Sequence, residues 1–246
     1  MLGISGGDPL FRGDDGSADP HVAAELGAFA AGAGSERAVL TALADSRLLV
    51  PVVAVPADQP GAQEPGDEHA GGPEPGCGSL RGETASEMAM PMLIGLDGRR
   101  AIPAFTCLDS MSRWRSAARP VPASARQVWR AAADDSCAVV IDVAGPVRLA
   151  VEGARLTALA RGDAIPAAWA DPDVREVVSD VLAGELAFAG FDLRPGDPDH
   201  DLVIALTFAR DSARCDVAEL AAGVGDSVMT RLGARLRRGV AIRLGG

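Results

Sequence analysis

One cysteine stands where a thiol could do chemistry. In AIPAFTCLDSMSRW, residues 101–114, Cys107 follows Thr106, a residue type that caps helices, and Asp109 stands three residues beyond Thr106, where a capping-box acid can reach back. A thiol in the first turn of a helix is drawn toward the thiolate by the helix dipole, and the thiolate is the nucleophile of Cys-dependent catalysis. The same residues support a plainer reading. Cys107, Met111, Trp114 and Ala118 follow one another at spacings that make one apolar helix face, and unpaired cysteine is among the most buried residue types. The expectation is therefore a core residue, with a Cys-dependent enzyme as a remainder.

Three further groups could bind ions or partners. RPGDPDHD brings together Asp197, Asp199, His200 and Asp201, oxygen and imidazole donors for a divalent cation, but it lacks the turn glycine and distal Glu of a calcium loop. Pro and Asp are ordinary turn formers, so a solvated loop between strands is expected. GDDGSAD, residues 13–19, reads the same way, with Asp19 as a helix cap. Arg231, Arg235, Arg237 and Arg238 could hold a phosphate or an acidic face. Their place at the end of a helical region favours complementing its C-terminal dipole. Arg113, Trp114 and Arg115, with Arg99, Arg100 and Arg119 nearby in sequence, form the candidate interaction surface, since Arg and aromatics are enriched at protein interfaces.

What the chain lacks narrows the chemistry more than any motif does. All 23 basic residues are Arg and there is no Tyr, so a Schiff-base lysine, a P-loop lysine and a Tyr acid or base have no residue to carry them. The four cysteines form no CxxC pair and the three histidines lie in separate segments, so no metal site and no cofactor are expected. A net charge of −11 makes association with nucleic acid or an anionic membrane repulsive. No stretch approaches the roughly 20 apolar residues of a membrane span, and the N-terminus carries no signal-like pattern. A cytoplasmic protein with a protein or small-molecule partner is expected.

Local signals delimit the elements that must position these residues. Asp19-Pro20 opens a helix over about 20–31, and Ser35 caps a second to about 46. RLLVPVVAV, 47–55, is a buried strand in which Pro51 requires a bulge or an unpaired edge position. Residues 56–85, rich in Pro, Gly and acids, read as a disordered insertion. Segments 87–96 and 100–105 join through Asp97-Gly98 as a hairpin, completing an antiparallel meander with the first strand. Then come a helix capped by Thr106, a helix over 124–134, a strand at 137–143, a short strand near 147–151 and a helix to about Arg161. From Asp171 the order helix, strand (186–193), strand (202–209), helix (216–236, with breaks at Gly223 or Gly225), strand predicts an αββαβ unit. The fold class is α+β, with two small domains, 1–165 and 171–246, each a mainly antiparallel or mixed sheet flanked by helices.

The order of RLLVPVVAV, the Asp97-Gly98 hairpin, IPAFT, RWRSAARPVP and VVIDVAGPV resembles the N-terminal domain of the SseB (enhanced serine sensitivity) family in its actinobacterial form. FRGDDGSADP and the tail from Asp171 resemble that family's lead and C-terminal domain. Two positions depart from the pattern: Pro91 interrupts an expected strand, and Val143 stands where an Asx-Pro turn is usual. The resemblance implies no catalytic residues. It implies a non-enzymatic adaptor or regulatory binding protein; the competing reading is a sensor of an amino acid, for instance serine, bound at the edge of the C-terminal sheet or between domains.

Overall fold

The computed structural model describes residues 11–56, 86–183, 188–208 and 217–245. From residue 57 on, the stretch expected as an insertion lies outside them, as do Cys77 and Cys215.

Two short helices come first among the described residues, α1 (Pro20–Ala30) and α2 (Glu36–Leu43). Their caps are those the sequence suggests. The Asp19 carboxylate accepts from the amides of His21 and Val22, and Ser35 Oγ accepts from Ala38 N. Strand β1 (Arg47–Pro56) comes next, then β2 (Ser86–Ala89), β3 (Leu93–Ile94) and β4 (Arg100–Ala104). The segment expected as one strand over 87–96 is split at Pro91: β2 pairs with β1, whereas β3 pairs with β4 in a different sheet. The meander is therefore interrupted. Beyond the β2–β1 pairing, β1 meets β4 through a single antiparallel bridge, Leu49 to Phe105, with N···O distances of 2.8 and 2.9 Å.

A strand not anticipated in the sequence succeeds the short helix α3 (Leu108–Trp114). Arg119–Ser124, the Pro-rich stretch before the helix expected over 124–134, is β5, antiparallel to β1 from Arg47↔Ser124 to Val52↔Arg119. Three prolines fit this pair because of parity. The amide and carbonyl of Leu49 point to Phe105, away from β5, so Leu49 and Pro51 occupy positions that exchange no hydrogen bonds with β5. Their partners, Pro122 and Pro120, likewise lack N–H groups only where β5 is an open edge. No bulge is needed at Pro51.

Helix α4 (Ala125–Asp134), β6 (Ala138–Ile141), β7 (Leu149–Val151) and α5 (Gly153–Arg161) complete the N-terminal part. Strand β6 runs parallel to β4 and antiparallel to β7, giving the mixed order β3-β4-β6-β7. The core under these sheets holds Trp129, Phe29, Leu40, Leu43, Ile102 and Ile141, all essentially inaccessible. Each such side chain contributes on the order of 1.5–3 kcal/mol by leaving water.

The C-terminal part has its own core. A 3-10 turn (Ala168–Ala170) leads into α6 (Pro172–Leu182), capped by Asp171, then β8 (Phe188–Pro195), β9 (Leu202–Phe208), α7 (Val217–Leu232) and β10 (Val240–Gly245). Strand β9 is central, antiparallel to β8 and parallel to β10. The αββαβ order stands, and α7 runs through both glycines without a break. Val174, Val178, Leu202, Ile204, Leu206 and Val228 form the second core. The architecture is α+β, with antiparallel and mixed sheets flanked by helices. Among the described residues, no helix is long and apolar enough to cross a membrane.

The parity argument is tested by two substitutions at neighbouring positions of β1. Pro51→Ala should cost no more than about 1 kcal/mol, chiefly through a freer unfolded chain. Val50→Pro, at a position that bonds to β5, should lower the thermal midpoint far more; comparable midpoints for the two variants would contradict the assigned register.

Candidate functional site

The corner around Cys107 is built differently from the sequence expectation. Thr106 does not cap α3. Its amide donates to Asp142 Oδ1 at 2.9 Å and its hydroxyl to Asp142 Oδ2 at 2.6 Å, a charge-assisted bond that draws it away from the helix. The cap is Cys107 itself, in extended conformation, with Sγ accepting from Ser110 N at 3.5 Å. Cys107 is therefore half-exposed and stands apart from the small core of Leu49, Phe105, Met111 and Ala118. Asp109 pairs with Arg113 four residues on, at 2.6 Å, and makes no capping box. Asp142, just past β6, is 3 % exposed with φ of 48°, a left-handed backbone that Asp tolerates. The other free thiol among the described residues, Cys137, is buried, and burial pushes its pKa up, away from a nucleophile's range.

The candidate interaction surface holds together in part. Arg113 and Arg115 are exposed, and Trp114 is half-buried against Phe105 with ring centroids 5.5 Å apart. The Arg115 guanidinium lies 5.2 Å from the Trp114 ring centroid. Arg99 and Arg100 are engaged elsewhere. Arg99 pairs with Asp97 and Glu152, and Arg100 donates to the Asp135 carbonyl.

The acidic loops resolve as turns. Asp197 accepts from Asp199 N and from His200 Nδ1 at 2.8 Å, and this bond to His200 holds the Asp197 carboxyl below its usual range. Asp201 grips Arg238 through backbone and side chain at 2.8 and 2.9 Å. Among the described residues no group of His, Cys, Asp and Glu is arranged to hold a metal ion.

The densest chemistry lies where the N- and C-terminal parts meet, on residues that the sequence pattern does not connect. Glu36 begins α2, Arg155 lies on α5, Asp171 caps α6, and Arg235 lies just beyond α7. Arg155 Nη1 donates to Glu36 Oε1, and the other Glu36 oxygen accepts from Arg235 Nε at 3.0 Å. Arg235 Nη2 in turn donates to Asp171 Oδ2. The charges alternate along this chain, and Arg155 and Asp171 are only 3 % and 1 % exposed. Burial pulls the Arg155 guanidinium below its ordinary pKa. At Arg235 burial acts the same way but is outweighed by Glu36 and Asp171, leaving that pKa raised. Both remain charged.

A second contact locks the junction. Glu152, at the N-cap of α5, makes no cap bond with its own side chain; Asp173 of α6 supplies it, Oδ2 accepting from Ala154 N at 3.0 Å. Gly153 makes room. Its φ is 61°, and a Cβ there would fall 2.1 Å from Asp173 Oδ2. The Arg237 guanidinium adds a contact over the Phe29 ring at 5.2 Å.

Beside this chain lies a cavity of about 200 Å³, with Glu36, Arg155 and Arg235 on one wall and Leu40, Ile165 and Trp169 among its apolar lining. Arg155 bonds only through Nη1; its Nε is fully buried without an acceptor, and its Nη2 makes no hydrogen bond among the described residues. A family model described as the SseB protein N-terminal domain matches residues 22–158, more than half of the chain. The chain belongs to the SseB family. No curated protein and no solved structure matches it. The SseB segment includes Glu36, Cys107, Trp114, Asp142 and Arg155, whereas Asp171 and Arg235 lie beyond it. The junction cavity is thus walled partly by the SseB domain and partly by the C-terminal part of the chain.

Asp142 in the SseB segment gives a pH signature. Burial raises its pKa, an effect only partly offset by bonds from Thr106 and Ser110. The folded chain then holds this proton more tightly than the unfolded chain. The resulting stabilisation is complete below the ordinary aspartate value and is lost as pH climbs through the raised folded value. Asn accepts the same left-handed backbone and keeps an oxygen for the Thr106 amide. The stability of wild type minus that of Asp142→Asn, from urea unfolding, should decline with rising pH across this window; a constant difference would contradict the assignment.

Proposed function

We propose that this SseB protein is a non-enzymatic regulatory binding protein whose junction cavity receives a small molecule. The observation that carries the reading is Arg155, a guanidinium buried at the cavity wall whose Nη2 makes no hydrogen bond among the described residues. Buried donors are nearly always satisfied by protein, water or ligand, and leaving one unmade costs on the order of 1–3 kcal/mol. The cavity is smaller than the roughly 300–1,000 Å³ of drug-sized sites and suits a metabolite of a few heavy atoms. Its position between the two parts lets occupancy bear on how they dock. The absence of Lys and Tyr from the chain favours binding over catalysis.

A second reading, an adaptor for a protein partner, is favoured by the Arg115 guanidinium over Trp114 beside exposed Arg113. Aromatic and Arg side chains are the residue types that anchor protein interfaces. The two readings are compatible, with the cavity as input and this surface as output.

A thermal melt of the full chain against a panel of amino acids and small organic acids separates them. A ligand that binds only the folded state adds about 2.7 kcal/mol at 100 times its dissociation constant, and the midpoint rises. A selective rise is the expected result. A flat panel would remove the sensor reading and leave the Arg113–Trp114–Arg115 surface as the functional element.

A further inference from the structure

We propose that the junction cavity is a monocarboxylate site, in which a small organic acid places its carboxylate on Arg155 and its apolar body against Ile165 and Trp169. This rests on the ligand-binding reading above and names the ligand's chemical class.

Charge comes first. Arg37, Arg155, Arg235 and Arg238 line the cavity against two carboxylates, Glu36 and Asp201. Asp171 stands behind Arg235 and bonds to it, and Asp173 is turned to the α5 amide end. Counting Asp171, the cavity keeps one positive charge in excess, inside a protein whose net charge is −11. An anion is favoured there, and low-dielectric walls strengthen the attraction.

The number of charges comes second. A dianion such as phosphate or succinate would exceed that single positive charge and set its second negative charge near Glu36, Asp171 and Asp201. Glu36 already accepts from two guanidiniums, one on each oxygen, and Asp201 holds Arg238 through both of its oxygens. Neither is open to an ammonium group, so the site does not favour a zwitterion over the plain acid.

Donor and shape come third. Arg155 Nη2, on a guanidinium that lines the cavity, makes no hydrogen bond among the described residues, and it suits a carboxylate oxygen. The rest of the lining includes Leu40 and Ile165, both buried, and Trp169, 37 % exposed on the 3-10 turn. Such a surface takes a short hydrocarbon tail.

Isothermal titration calorimetry on the full chain tests this with four probes: propionate, its zwitterionic counterpart alanine, succinate and inorganic phosphate. The expected result is saturable binding of propionate, tighter than that of the other three. It should weaken at least about tenfold in Arg155→Lys, which keeps the charge but loses the planar donor fork. Should that variant fail to fold, Trp169→Ala, altered at an exposed position, should weaken propionate binding with the fold retained. Propionate binding unchanged in the folded variants would place it elsewhere and overturn the proposal. Preference for alanine, succinate or phosphate would overturn the carboxylate assignment while leaving a ligand cavity standing. Silence from all four probes would overturn the proposal too, and the melt panel would then decide separately whether a ligand cavity remains.

Discussion

Four alternating charges, Glu36, Arg155, Arg235 and Asp171, lie side by side where the two parts of the chain meet, three of them buried and Arg235 half-buried, and none of them can be left alone there. An ion withdrawn from water loses several kcal/mol of hydration, which only good geometry and neighbouring opposite charges return. Each member therefore fixes the others. Arg235 is the link that reaches across, since it comes from the segment after α7 and bonds both to α2 of the SseB domain and to the cap of α6. Helix α5 reinforces the arrangement by taking its N-terminal cap from Asp173, an acceptor that α6 provides. Docking of the C-terminal part thus completes an α-helix of the N-terminal part.

The same constraint shapes the cavity. Arg155 is held at its wall by Glu36 and by the Ala150 carbonyl, with Nη2 left over, and the segment from Ile165 to Trp169 lines the cavity. A molecule bound here touches both parts at once. Ligand occupancy and junction geometry are then linked by differential affinity, which is the physical requirement for regulation by binding.

The local features of the fold were readable because their causes are local. Asp19 and Ser35 as caps, the Asp97-Gly98 turn and the αββαβ order arise from short-range chemistry, and each is present. The errors arose where a distant residue intervened. Thr106 has the right type for a cap, but Asp142, 36 residues away, takes its amide and hydroxyl and leaves the cap to Cys107. Strand β5 was hidden because its prolines argue against a strand, and only the register with β1 shows that they sit at positions needing no bond to it. Arg235 looked like a C-terminal dipole partner. Its acceptors lie 199 and 64 residues away in sequence, which no spacing rule could reveal. An Asp-Pro cap with another Asp directly after it was the one visible hint, and it spoke only for α6.

Whether the buried charge chain joins the two parts is most directly decided by a double-mutant cycle between Glu36→Gln and Arg235→Gln, read by urea unfolding of the full chain. A coupling energy of at least about 1.5 kcal/mol, in the range of close charge pairs, is the predicted result. Effects that simply add, to within about 0.5 kcal/mol, would mean that Arg235 does not hold the SseB domain through Glu36, and the account of the junction would be wrong.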